Sequence, residues 1–147
     1  MKHLFNASDA DEMKARILKI SPDAQKQWGK MDVAQMLAHC GNGLEMAIGI
    51  INPKRVFIGR LIGGMLKGKY TDEKPFDKNS PTSVEIRVAD PRDFDKEKAR
   101  LLTLLKQFSD NKKATSHPHP FFGELGPDEW SRGMYKHLDH HLRQFGA

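Results

Sequence analysis

The chain has 147 residues, 38% apolar and 29% charged, a composition typical of one globular domain and not of a disordered chain. One cysteine, Cys40, excludes an intramolecular disulfide and favours a reducing, cytoplasmic setting. The net charge is +5, but Lys and Arg are scattered and no stretch approaches a membrane span, so we expect neither a nucleic-acid nor a membrane partner.

The first two predicted helices are marked by their capping residues. The first opens within residues 6–9, where Ser8 is the predicted cap, and runs to Ile20, with apolar residues at spacings of three and four. The second covers residues 33–48. It follows Asp32, which forms a capping-box pattern with Gln35. Both helices therefore have a defined start and one apolar side.

The middle of the chain is less regular. Residues 56–66 are apolar and glycine-rich and predict a third, shorter helix. The spacing of Gly59 and Gly63 suits close helix packing, and a homodimer interface is one use of it. Residues 67–81 read as a long loop. In residues 84–88, apolar and charged residues alternate, which predicts a short strand or an extended crossover.

The C-terminal third contains two further helices. The first is predicted for residues 94–109 and the second for residues 128–144, with a proline-rich loop at residues 117–123 between them. Four or five helices with little strand predict an all-α fold, a helical bundle formed by residues 1–147 as a single domain.

Two histidines of the last helix lie on its apolar side. On a wheel of about 100° per residue, His137 and His141 fall beside Trp130 and Met134, one turn apart, so both rings can point into the core. His140 falls at the edge of this side. The outward side is predicted to carry the charged residues Lys136, Asp139 and Arg143.

A third histidine, His39, falls on the apolar side of the second helix, next to Cys40, which we predict to be a core residue. Three neutral imidazoles from two helices suit one divalent ion, zinc or nickel above all, and leave a coordination position for water or substrate. The alternative is that these are core histidines whose rings find hydrogen-bond partners in the protein.

Several sequence motifs resemble those of a known superfamily. They are MLAH at residues 36–39 and HLDHHLRQ at residues 137–144, together with QWGKM at residues 27–31 and HPFFG at residues 119–123. The first two resemble motifs of the DinB/YfiT-like four-helix-bundle superfamily, whose members are considered metal-dependent. All four resemble one small branch of it. The resemblance covers most of the chain.

The resemblance implies an up-down-down-up four-helix bundle, with long loops and one short extended segment at most. It implies one divalent ion bound by His39, His137 and His141. The function it suggests is that of a metal-dependent hydrolase or a thiol-dependent transferase, acting on a small molecule with a low-molecular-weight thiol as a further partner. The alternative is a non-catalytic metal- or small-ligand-binding module with a stress or sensor role.

Four further residues are candidates around such a site. His119, in the proline-rich loop, is the predicted general acid or base, and His117 is a weaker candidate; the alternative for either is a local hydrogen bond. Gln144 follows His141 by three residues, a spacing that suits holding a ligand ring or a metal-bound water; the alternative is an exposed polar residue near the end of the helix. His140 is a second supporting residue.

Overall fold

The computed structural model describes residues 1–147 as five α-helices without a β-strand, which confirms the predicted all-α class. The helices are α1 (Ala7–Lys19), α2 (Val33–Ile48), α3 (Phe57–Thr71), α4 (Phe94–Asn111) and α5 (Pro127–Gln144). None of them combines the length and the apolar character needed to cross a bilayer.

The helices share one core. α1 and α2 each pack against both α4 and α5, whereas α3 packs against α5 alone among the helices. The core contains 25 buried apolar residues, including Tyr70 of α3, and the largest fully buried side chain is that of Trp130. α5 therefore has neighbours on three sides, while α3 has one side against the protein and one side free.

The start of α1 differs from the prediction. The capping residue is Asn6 and not Ser8, because the Asn6 side chain accepts hydrogen bonds from the backbone N–H groups of Ser8 (3.0 Å) and Asp9 (3.2 Å). Both residue types cap helices well, and they stand two positions apart. The predicted capping box of α2 is confirmed by reciprocal bonds between Asp32 and Gln35 of 2.8 and 2.9 Å.

The cap assignment predicts different results for two neighbouring substitutions. Asn6→Ala should lower the free energy of unfolding by about 1 kcal/mol, because two N–H groups lose their acceptor. Ser8→Ala should change it by less than about 0.5 kcal/mol, since the Ser8 hydroxyl donates only a solvent-exposed hydrogen bond to Asn6 Oδ1 (2.9 Å). Urea denaturation followed by circular dichroism measures both, and equal losses would contradict the assignment.

α3 is longer than predicted and uses its glycines within the chain. It continues to Thr71, so the following loop begins at Asp72 and not at residue 67. A Cβ on Gly59 or Gly63 would lie 2.5 or 1.9 Å from the carbonyl oxygen of Phe121. The close packing predicted for these glycines is therefore intramolecular, and their side of α3 is not free to form a homodimer interface.

The alternating segment does not form a strand. Val84–Ile86 is a single 3-10 turn that packs against α2, and no second strand lies beside it. Ile86 and Val88 are buried, whereas Val84 is 73% exposed. The segment is thus an extended crossover in which Ile86 and Val88 face the core.

One charged residue of α5 was assigned to the wrong side. Lys136 was predicted to face outward, but it is buried, and its ammonium group contacts Asp72 (2.6 Å) and the carbonyl oxygen of Lys69. The reason is that α3 packs against this side of α5. Asp139 is also partly covered and pairs with Arg16 of α1 at 2.8 Å, while Arg143 is exposed as predicted.

Candidate metal centre

The three predicted ligand residues meet in the core. His39 comes from α2 and His137 and His141 from α5, and one ring nitrogen of each lies within 4.8 Å of the others. The Nε2 atoms of His39 and His137 are 2.9 Å apart. The helices approach closely here, because a Cβ on Gly43 of α2 would lie 3.0 Å from the His137 ring. The structure therefore places the three imidazoles around one point.

The ring of His39 is oriented by a backbone carbonyl. Its Nδ1 lies 2.8 Å from the carbonyl oxygen of Ile86, in the crossover before α4. Because a carbonyl only accepts, the proton of His39 must be on Nδ1. Its Nε2 is then unprotonated and directed toward the other two rings.

The ring of His141 is oriented through Gln144. The side-chain amide of Gln144 donates from Nε2 to the carbonyl oxygen of Trp28 at 2.7 Å, so its Oε1 must be the atom facing His141. Oε1 lies 2.9 Å from His141 Nδ1 and accepts its proton. The Nε2 of His141 is therefore also unprotonated. The structure thus brings Gln144 and His141 together in the arrangement that the sequence analysis expected.

His137 has no protonation state that satisfies both of its nitrogens. Its Nδ1 is buried without a hydrogen-bond partner. With the proton on Nδ1, a donor is left unpaired and two Nε2 lone pairs face each other at 2.9 Å; with the proton on Nε2, the Nδ1 acceptor is left unpaired. A cation between the Nε2 atoms replaces the repulsion of lone pairs by attraction. The donor set therefore fits a divalent metal ion.

Burial keeps the three rings neutral. Desolvation lowers the pKa of His39, and it lowers that of His141 to about 3 with a further contribution from His39. The pKa of His137 is lowered most by desolvation and then by His141 and His39. At neutral pH all three imidazoles are therefore neutral, the charge state that binds a divalent cation.

The Nδ1 atom of His119 is occupied by hydrogen bonds within its own loop, which limits the role that this ring can have in catalysis. Its Nδ1 accepts hydrogen bonds from the backbone N–H groups of Phe121 (3.1 Å) and Phe122 (3.2 Å). Desolvation, followed by the nearby charge of Arg55, lowers its pKa to about 3. The neutral ring can therefore offer only its Nε2–H to a ligand. His117 donates from Nε2 to the carbonyl oxygen of Pro53 at 3.0 Å, the local bond given above as its alternative.

An aromatic pair encloses His140 beside the centre. Its ring centroid lies 5.6 Å from that of Trp28 and 6.0 Å from that of Phe76, and 5.0 Å from that of His141. Desolvation lowers the pKa of His140. Phe76 belongs to the loop after α3. Nothing in the composition of that loop predicts that it packs against α5, so the sequence does not implicate Phe76 in the site.

Two other features lie apart from the three rings. Cys40 is a core residue, as predicted: it is buried against Met36, with a sulfur–sulfur distance of 3.7 Å, and burial raises the pKa of its thiol. A cavity of about 560 Å³ is lined mainly by polar residues of α1, α5 and the loop after α3. It contains none of the three histidines, since it lies along the opposite side of α5.

Comparison with known proteins gives one match. The family model described as "Protein of unknown function (DUF1569)" matches residues 2–147. No curated protein and no solved structure matches the chain. Because the match covers nearly every residue, including all three histidines of the centre, the chain belongs to the DUF1569 family.

Proposed function

We propose that the protein binds one divalent metal ion through His39, His137 and His141 and acts as a metal-dependent hydrolase or thiol-dependent transferase. The observation that carries the proposal is the protonation pattern of the cluster. Two rings are held with Nε2 unprotonated and facing inward, and the third has a buried nitrogen that no protein group satisfies. Histidines that serve only the core would instead be paired within the protein.

The helix packing supports a fold proposal of the same kind. We infer a four-helix bundle of α1, α2, α4 and α5, similar to that of the DinB/YfiT-like superfamily, with α3 outside it. The support is the closed ring of contacts, in which α1 and α2 each touch α4 and α5. Facing helices of such bundles commonly supply the ligands of metal sites in their cores.

The protein's own contribution to the chemistry is orientation. The Ile86 carbonyl fixes the ring of His39, and Gln144 fixes that of His141. Such supporting bonds commonly change metal affinity 10- to 100-fold when removed. When bound, the ion would supply a Lewis acid with an open coordination position. Three imidazole ligands favour zinc or nickel.

A second candidate function is metal or small-ligand binding without turnover, as in a stress or sensor module. The observation that favours it is the position of the cavity of about 560 Å³, which lies on the other side of α5 from the three histidines. The substrate pocket of an enzyme would instead adjoin the reacting groups. His119 and His140 are the candidates for assisting a reaction.

Metal content decides between a metal centre and a set of core histidines. Untagged protein purified without chelator should contain about one ion per chain by mass spectrometry, or should take up one zinc or nickel ion on titration. The double variant His137→Ala/His141→Ala should bind none. Gln144→Ala should still bind, with an affinity lowered about 10- to 100-fold.

The matched control is His117→Ala, which removes an imidazole that bonds only to Pro53, and it should bind metal like the parent. Absence of metal in the parent, with no uptake of zinc or nickel, would overturn the proposal. A loaded protein is then assayed with ester, amide and thiol-transfer substrates. One bound ion per chain without turnover of any of these substrates would favour metal or ligand binding without catalysis.

A further inference from the structure

The side of α3 that faces away from α5 is apolar and has no partner in the chain. Four side chains on it have exposed fractions of 52–79%, namely Phe57, Ile58, Leu61 and Met65, which we call the α3 outer face. On a helical wheel they occupy one arc of about 100°. Single exposed apolar residues are ordinary, but four in one arc of one helix indicate an interaction surface.

Cations border the α3 outer face on both edges. On the same wheel, Arg60 lies at one edge of the apolar arc and Lys69 at the other. Both residues are exposed, and neither side chain forms an ion pair. An apolar arc with a cation at each edge is an arrangement found in helices that lie in the interface of a membrane.

The charge of the chain is concentrated around this helix. Residues 46–71 contain five Lys and Arg residues and no Asp or Glu. Because the whole chain has 24 Lys and Arg against 19 Asp and Glu, the rest of the chain is electrically balanced without these five. Of these five, Lys67 pairs with Glu129 of α5 at 2.9 Å, so the unpaired charge at the edges of the α3 outer face is that of Arg60 and Lys69, and a negatively charged partner complements it. A second copy of the chain would instead place cations against cations.

We propose that the α3 outer face docks on the surface of an anionic phospholipid bilayer, with α3 lying in the plane of the membrane. Its apolar side chains enter the boundary between headgroups and acyl chains, and Arg60 and Lys69 extend to the lipid phosphates. The scattered charges of the sequence predict no membrane partner, and our proposal departs from that prediction. The reason is that the structure distinguishes the side of α3 covered by the protein from the exposed side. The proposal is independent of the metal centre.

Vesicle flotation tests the proposal with the full-length protein. The protein should float with vesicles of phosphatidylcholine and phosphatidylglycerol but not with vesicles of phosphatidylcholine alone, and raising the salt concentration should weaken binding. Arg60→Glu/Lys69→Glu should lower the partition coefficient at least about tenfold, since each cation near the surface contributes severalfold. Leu61→Gln/Met65→Gln should lower it comparably, through loss of the apolar contact.

The matched control is Lys14→Glu/Lys113→Glu, which changes the net charge equally at exposed, unpaired positions outside α3 and should bind vesicles nearly like the parent. All these positions are exposed, so circular dichroism should show each variant folded. No binding to anionic vesicles, or an equal loss in the control, would overturn the proposal. A dimer in size-exclusion chromatography that Leu61→Gln/Met65→Gln converts to a monomer would assign the face to a second copy instead.

Discussion

Replacing Gly133 by Ala should lower the free energy of unfolding by about 3 kcal/mol. A Cβ at this position of α5 would lie 1.9 Å from Cε1 and 2.1 Å from Cζ of Tyr70 in α3. The Tyr70 ring cannot easily move, because it is buried and packs against His119 and Phe122 at centroid distances of 5.1 and 4.9 Å. Overpacking of this kind costs more than the roughly 1 kcal/mol that alanine gains over glycine in a helix.

Denaturant titration of the parent and two variants measures the effect. Gly64→Ala is the matched control: it makes the same change in α3, where a Cβ meets nothing within 4 Å, and should raise the stability by about 0.5–1 kcal/mol. The double variant Gly133→Ala/Tyr70→Leu should lose less than the sum of the two single losses, since the clash is relieved. A neutral Gly133→Ala would show that α3 and α5 can separate without cost.

Acidification should destabilise the metal-free protein well before its carboxylates protonate. The folded-state pKa values of His119 and His141 are about 3, below the value of about 6.5 in an unfolded chain. Below pH 6.5 the unfolded chain therefore binds protons that the folded chain cannot, and stability falls as the pH drops toward 3. Between pH 7 and pH 5 the loss is about 2 kcal/mol for each histidine, or about 4 kcal/mol for the two.

Urea denaturation at pH 7, 6 and 5 in the presence of chelator measures this loss. His119→Asn separates the contributions, because the Asn Oδ1 can accept the two backbone hydrogen bonds that Nδ1 accepts now, without titrating. The variant should lose about 2 kcal/mol less than the parent over this range, because the buried rings of His39, His137 and His141 still resist protonation in it. A stability that stays constant between pH 7 and pH 5 would contradict the burial of neutral imidazoles.

The parts of the fold that depend on neighbouring residues were the most predictable. The capping box of Asp32 and Gln35 is local, so its pattern was sufficient to place the start of α2. Asn6 and Ser8 are both good caps, and local preference could not choose between them. Lys136 was misplaced because a wheel assumes one buried side, whereas α5 has helices on three sides. The contact that buries Lys136 exists only in the folded chain.

The candidate site divides in the same way. Spacing within α5 and the apolar sides of two helices were enough to predict that His39, His137 and His141 point inward. Only one of the groups that orient their rings could be predicted. Gln144 lies three residues after His141, and this spacing indicates a contact, whereas the carbonyl oxygens of Ile86 and Trp28 belong to the backbone. Every residue has such an oxygen, so only the path of the chain selects these two.

The two carbonyls that set the ring protons both lie outside the helices, one in the crossover before α4 and one in the connection between α1 and α2. Helices can therefore form and pack before the site is complete, and the site is finished only when both connecting segments have docked. Metal captured by the finished site should act on the unfolding limb of the kinetics. Zinc added in stopped-flow experiments should then slow unfolding severalfold and leave the refolding rate nearly unchanged.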